Sequence, residues 1–140
     1  MRQILLFAPL TASLSLLTGC ALSKAKADTA EDMPGKAAYH KISAEEAHAM
    51  MASQEVVVVD VRTREEYDGG HIENAVLVPN ESIGGEMPEA LPDKEATLLI
   101  YCRSGRRSKD AAQKLLALGY QSVYDFGGVI DWPYELVKEG

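Results

Sequence analysis

The stretch Cys102-Arg103-Ser104-Gly105-Arg106-Arg107 gathers the residue types best suited to nucleophilic chemistry. It follows the apolar run Thr97–Tyr101. It leads into Ser108, Ala111, Ala112, Leu115 and Leu116, a stripe at helical spacing that ends at Gly119. A strand, a short loop and a helix start make an anion site. The first amides of a helix lack partners, point outward, and sit at the positive end of its dipole. If the loop curls around the Cys102 sulfur, successive amides form a concave nest, and Gly105 permits the backbone angle that this curl requires. Arg103, Arg106, Arg107 and Lys109 place four cations within seven residues, against Asp110 alone. Amides and cations both lower a thiol pKa from ~8.5, so the pattern predicts a standing thiolate, a strong nucleophile. The plainer alternative is a packing cysteine at a strand end, beside arginines on a solvated helix start. The coincidence of strand end, glycine loop, helix start and cation cluster favours the nucleophile.

The elements that must hold this loop read as an alternating α/β domain. Tyr39–Ile42 is a short extended piece. Ser43 and Glu46 form a capping box ahead of Ala44, Ala47, Met50 and Met51 at helical spacing. The β-branched run at positions 56–59 has no polar alternation, which predicts a strand buried on both faces. Arg64–Tyr67 reads as a helical turn closed by Gly69-Gly70, and Ala75–Val78 as a second buried strand. Residues 80–95, with Gly84, Gly85, Pro88 and Pro92, predict a loop with one helical turn. After the Cys102 helix, Ser122–Tyr124 reads as a last strand, and Gly127-Gly128 as a turn into a closing segment with Trp132 and Leu136. Strands alternating with helical stretches predict a mostly parallel sheet covered on both faces, with the site at a strand's carboxyl end.

The chain has 140 residues, which is one domain with length to spare. A net charge of −7 argues against a nucleic-acid-binding surface, which needs a basic face. The apolar share of 46% excludes wholesale disorder, and two cysteines exclude a disulfide-dense scaffold. Three scattered histidines supply no metal-ligand cluster.

Residues 1–19 read as a signal peptide: Arg2, an apolar run from Ile4 to Leu17, then Leu17-Thr18-Gly19-Cys20. That tetrapeptide resembles the bacterial lipobox, which implies cleavage before Cys20 and its lipidation. The alternative is an ordinary signal with an incidental cysteine. Residues 20–38, with their small, polar and mixed-charge composition, predict a lipidated cysteine on a flexible tether that reaches up to about 60 Å from a bilayer. The expected location is therefore the cell envelope, on the outer membrane of a Gram-negative host or the outer face of a Gram-positive cell membrane. Lipidation would leave Cys102 as a lone reactive thiol.

Residues 39–140 resemble single-domain rhodaneses, the rhodanese-like sulfurtransferases. Cys102-Arg103-Ser104-Gly105-Arg106-Arg107 is similar to that family's active-site loop. Val59-Asp60-Val61-Arg62, Glu66-Tyr67, Gly70-His71-Ile72 and Ala75 resemble its first signature, and Gly127-Gly128 with Trp132 its closing one. The resemblance implies a small α/β domain around a mainly parallel sheet of about five strands, with helices on both faces. It further implies that Cys102 accepts sulfur as a persulfide and that the amides of residues 103–107 cradle it. Arg103 and Arg107 would orient an anionic donor such as thiosulfate. A thiol or cyanide, or a protein thiol, would accept the sulfur, and no cofactor is called for. The alternative is a rhodanese-like carrier or partner-binding module with little small-molecule turnover.

Cysteine phosphatases carry an arginine six residues after the nucleophile to hold phosphate; here that position is Ser108, which favours sulfur over phosphate or arsenate. Asp60 and Arg62 are weaker candidates for orienting the loop from behind, and a strand-end ion pair is the plainer reading. Glu65 and Glu66 read as solvent-facing or locally paired, His71 as structural, His40 and His48 as surface residues, and Trp132 as packing.

Overall fold

The computed structural model describes residues 37–139. Five strands, β1 (Ala38–Lys41), β2 (Val57–Asp60), β3 (Val76–Leu77), β4 (Thr97–Cys102) and β5 (Ser122–Gly128), pair in the order β1-β5-β4-β2-β3. Every pairing is parallel. Three helices connect them: α1 (Ala44–Ser53), α2 (Arg64–Asp68) and α3 (Arg106–Ala117). The expected signal peptide, Cys20 and all but the last two residues of the expected tether lie outside the described residues. Strand β1 begins at Ala38, one residue ahead of the expected start. No helix among the described residues is long and apolar enough to cross a membrane.

The sheet is buried on both faces because side chains alternate along each strand. Val59, Val61, Leu98, Ile100 and Cys102 join Ala111, Ala112 and Leu115 of α3 in one apolar cluster. Val58, Leu99, Tyr101 and Phe126 join Ala47 of α1 and Tyr67 of α2 in the other. A continuous apolar strand is what this arrangement demands, and each fully buried Val or Leu stabilises it by roughly 1.5–3 kcal/mol.

The helix starts follow local chemistry. Ser43 and Glu46 close the expected capping box of α1, and Thr63 and Glu66 close a second one on α2. The loop after β3 contains one 3-10 turn, Asn80–Ser82. One expectation is corrected. Gly127 and Gly128 do not turn the chain but continue β5, which runs four residues past Tyr124. Gly128 sits in register with Cys102 after a bulge between Ile100 and Cys102. A Cβ on Gly128 would overlap the Arg103 carbonyl, so this strand end can lie against the loop only as glycine.

Candidate active site

Cys102 ends the central strand β4, and α3 begins four residues later at Arg106. Gly105 makes the reversal at φ 101°, in the left-handed region that favours glycine. No side chain caps α3, so its first amides remain available to the loop interior. The Gly105 amide donates to the Cys102 sulfur at 3.0 Å. Cys102 is 1% exposed and belongs to the apolar cluster on the α3 face, yet its sulfur is turned toward these donors.

Burial alone pushes the Cys102 thiol up. Hydrogen bonds from the Ser108 amide and hydroxyl, and from the Gly105 and Ser104 amides, outweigh burial and hold the thiol below its ordinary value. Ser104 and Gly105 contribute, and Ser108, just past the expected range, contributes most. Arg103 and Arg106 are exposed at the rim. Neither makes an ion pair among the described residues.

The expected focusing of four cations on the sulfur is also revised. Arg107 forks onto Glu66, with Nη1 to Oε2 at 2.8 Å and Nη2 to Oε1 at 2.9 Å. The Glu66 hydrogen bonds are the first cause of its raised pKa, with Cys102 a lesser one. Arg107 thus braces the loop against α2, with one donor of each terminal nitrogen already committed to Glu66. Ser108, at the position where a phosphatase needs its arginine, turns its hydroxyl inward to Asp125 at 2.7 Å.

Asp60 and Arg62 form the strand-end ion pair. Arg62 Nη2 donates to Asp60 Oδ2 at 2.6 Å and to the Gly70 carbonyl at 2.8 Å, and both residues are buried. The Tyr101 hydroxyl donates to the same Asp60 oxygen at 2.7 Å and accepts from the Ile72 amide at 3.1 Å. No hydrogen bond from this network reaches the loop among the described residues, so it braces β2 and β4 instead. His71 Nδ1 meets the Tyr67 carbonyl at 2.8 Å and the ring stacks on Tyr67, a structural placement. His48 is exposed and stacks on Tyr134; His40, half-buried, stacks on Tyr124. Trp132 packs on Phe126 in the cluster opposite α3.

A hollow of about 330 Å³ adjoins the loop on its Arg103 side, lined by Arg62, Glu66, Gly70, Arg103, Ile130 and Leu136 among others. A larger one of about 620 Å³, between α1 and the closing segment, includes no residue of the loop. Among the described residues, no three His, Cys, Asp or Glu side chains are grouped to share a metal ion.

Sequence reasoning missed Asp125. It is 1% exposed and joins β5 to β1 and to α3. Its only sequence signal is an acidic residue in an otherwise apolar strand.

The rhodanese-like domain family matches residues 43–133. A tRNA uridine(34) hydroxylase of Yersinia pestis is 31% identical over 106 residues, covering 72% of this chain and 30% of that protein. The chain thus spans about a third of the length of that curated relative. A rhodanese-like domain protein of Staphylococcus aureus superposes with a TM-score of 0.62 at 32% identity, covering 72% of this chain and 99% of that one. A human single-domain sulfurtransferase superposes with a TM-score of 0.59 at 28% identity, covering 66% and 93%.

Proposed function

From the premise that this chain belongs to the rhodanese-like family, we propose that it is a sulfurtransferase whose nucleophile is Cys102. One observation carries the reading: the Cys102 sulfur, at the end of β4, is ringed by hydrogen-bond donors that favour its thiolate. In the proposed reaction the thiolate attacks the outer sulfur of thiosulfate. An S–S bond to Cys102 forms, the donor's own S–S bond breaks, and sulfite leaves with its electron pair. An acceptor such as cyanide or a thiolate then attacks the outer sulfur of the persulfide. Thiocyanate or a new persulfide leaves, and the Cys102 thiolate returns. Two successive displacements give ping-pong kinetics. The loop amides that stabilise the thiolate would also hold the persulfide and the sulfonate oxygens, with Arg103 and Arg106 at the rim drawing in the anion.

The hydroxylase activity named for the Yersinia relative belongs to a protein of which this chain spans 30%. A protein thiol as acceptor is favoured by Ile130, which is 64% exposed and whose amide donates to the Arg103 carbonyl at 3.2 Å. An apolar side chain at the mouth of the site suits a protein surface better than cyanide. The lipid-anchored envelope location expected from Cys20 belongs to this reading, with an exported thiol as acceptor.

The test is intact mass after exposure to thiosulfate, with and without Cys102→Ser. The expected result is the gain of one sulfur atom, absent in the variant, followed by its loss to cyanide. No gain, or full thiosulfate–cyanide turnover in Cys102→Ser, overturns the proposal.

A further inference from the structure

The hollow of about 620 Å³ between α1 and the closing segment holds no residue of the Cys102 loop, and sulfur transfer makes no use of it. Its volume lies in the range of small-molecule sites, about 300–1,000 Å³. Two kinds of side chain set its chemistry. Three rings line it: His48 on α1, and Trp132 and Tyr134 on the closing segment. Three carboxylates, Glu55, Glu73 and Glu135, line it as well, and among the described residues no lysine or arginine does.

The rings make a corner rather than a slot. His48 stacks on Tyr134 with centroids 3.7 Å apart and planes at 13°. Trp132 stands steeply to both, at 68° to Tyr134 with centroids 4.9 Å apart, and at 60° to His48 at 5.9 Å. A flat ring would need parallel faces to stack between, whereas a rounded group fits an angle. The Trp132 Nε1 is buried without a hydrogen-bond partner among the described residues, so the indole offers the hollow ring carbon and not a donor. Ring surface of this kind attracts a cation with an apolar skin, provided it comes within about 6 Å of a ring centroid.

The carboxylates set the sign of the ligand. All three are exposed, and none makes an ion pair among the described residues. With no cation on the lining to offset them, their fields add over the hollow. They do not converge. Magnesium or calcium needs several oxygen ligands at one point, and no three His, Cys, Asp or Glu side chains among the described residues are grouped to share a metal ion. Negative charge spread around an aromatic corner suits a bulky ammonium, which needs no direct oxygen ligands.

We propose that this hollow is a binding site for a small alkylated-ammonium ligand. Trp132 and Tyr134 lie against its alkyl groups, His48 backs Tyr134, and Glu55, Glu73 and Glu135 supply the long-range attraction. The site is independent of Cys102 and of the reaction assigned to it.

The experiment is a fluorescence titration of the full chain, whose single tryptophan is Trp132 and so reports the hollow directly. The probe is tetramethylammonium, added at constant ionic strength and about pH 8, where imidazoles are ordinarily neutral. The comparison is tert-butanol, neutral and of similar bulk. The expected result is a saturable change in emission with tetramethylammonium, and at least about fivefold weaker binding of tert-butanol. Replacing the three carboxylates together, by Glu55→Gln, Glu73→Gln and Glu135→Gln, should weaken tetramethylammonium about threefold to tenfold. Tyr134→Leu keeps an apolar wall without the ring and should weaken it at least about threefold. No saturable change, equal binding of tert-butanol, or undiminished affinity in either variant overturns the proposal. The comparison of the two probes needs no substitution, so it decides the matter even if a variant misfolds.

Discussion

Arg107 and Glu66, 41 residues apart in sequence, meet as a two-pronged pair at 2.8 and 2.9 Å. Glu66 also accepts from the Thr63 amide at 3.0 Å and from its hydroxyl at 3.1 Å. One carboxylate therefore closes the start of α2 and pins the start of α3, the helix whose first turn faces the candidate nucleophile. The position of the loop depends on a contact between two connecting helices rather than on the sheet alone.

This pair sets an acid limit on stability. The Arg107 hydrogen bonds, helped by Thr63 and opposed by burial, lower the Glu66 pKa from 4.5 to about 2. A folded pKa below the unfolded one contributes stability that is fully present above 4.5 and lost as pH falls toward about 2. Between pH 7 and pH 3, the unmodified protein should lose about 2 kcal/mol more than Glu66→Gln, which has no such group to titrate. Urea unfolding at the two pH values checks it, and equal losses would refute it.

Arg103 and Arg107 should separate in kinetics. Arg103 is exposed and free of ion pairs among the described residues, so Arg103→Ala should raise KM for thiosulfate about threefold to tenfold and leave kcat nearly unchanged. The effect should shrink as salt rises, since surface charge is screened over about 10 Å at 0.1 M. Arg107→Ala should instead lower kcat and unfolding stability together, because it frees Glu66 and the first turn of α3. Initial rates at two ionic strengths, beside thermal melts, distinguish the two.

Gly128→Ala should disable the loop more than it destabilises the fold. The added methyl would overlap the Arg103 carbonyl and crowd the Ser104 Cα. The six-residue turn, exposed on one side, is the part able to yield. Persulfide loading should fall more than about tenfold, while far-UV circular dichroism keeps its native form. Unchanged loading would mean that the strand end does not position the loop.

Tyr101→Phe tests the buried network beneath the site. It removes a donor from Asp60 and leaves the Ile72 amide without its acceptor, at about 1–3 kcal/mol of stability. With no hydrogen bond from this network to the loop among the described residues, alkylation of Cys102 should keep its pH profile in the same variant. A displaced profile would give Asp60 and Arg62 the loop-orienting role that the geometry withholds.

What could be read in the sequence was local. Ser43 with Glu46, the valine run at positions 56–59, and the strand–loop–helix grammar around Cys102 and Gly105 each state their structure within a few residues. The missing parts were pairings across long separations. Asp125 finds Ser108 across 17 residues and Tyr39 across 86, and nothing in Val123-Tyr124-Asp125-Phe126 announces a carboxylate satisfied from two sides. Arg107 looked like an unclaimed cation because its partner is 41 residues upstream. Gly127-Gly128 looked like a turn because adjacent glycines usually are one. The close approach of another backbone, which also demands glycine, leaves the same letters in the sequence.

The bulge that sets Cys102 opposite Gly128 makes the aperture of the cradle a property of two central strands. Moving that strand end would require β4 and β5 to slip past one another, disturbing both apolar layers at once. Exchanging residues within the turn can retune charge at its mouth and let its exposed side give, but it leaves the glycine wall behind the loop where the two strands hold it.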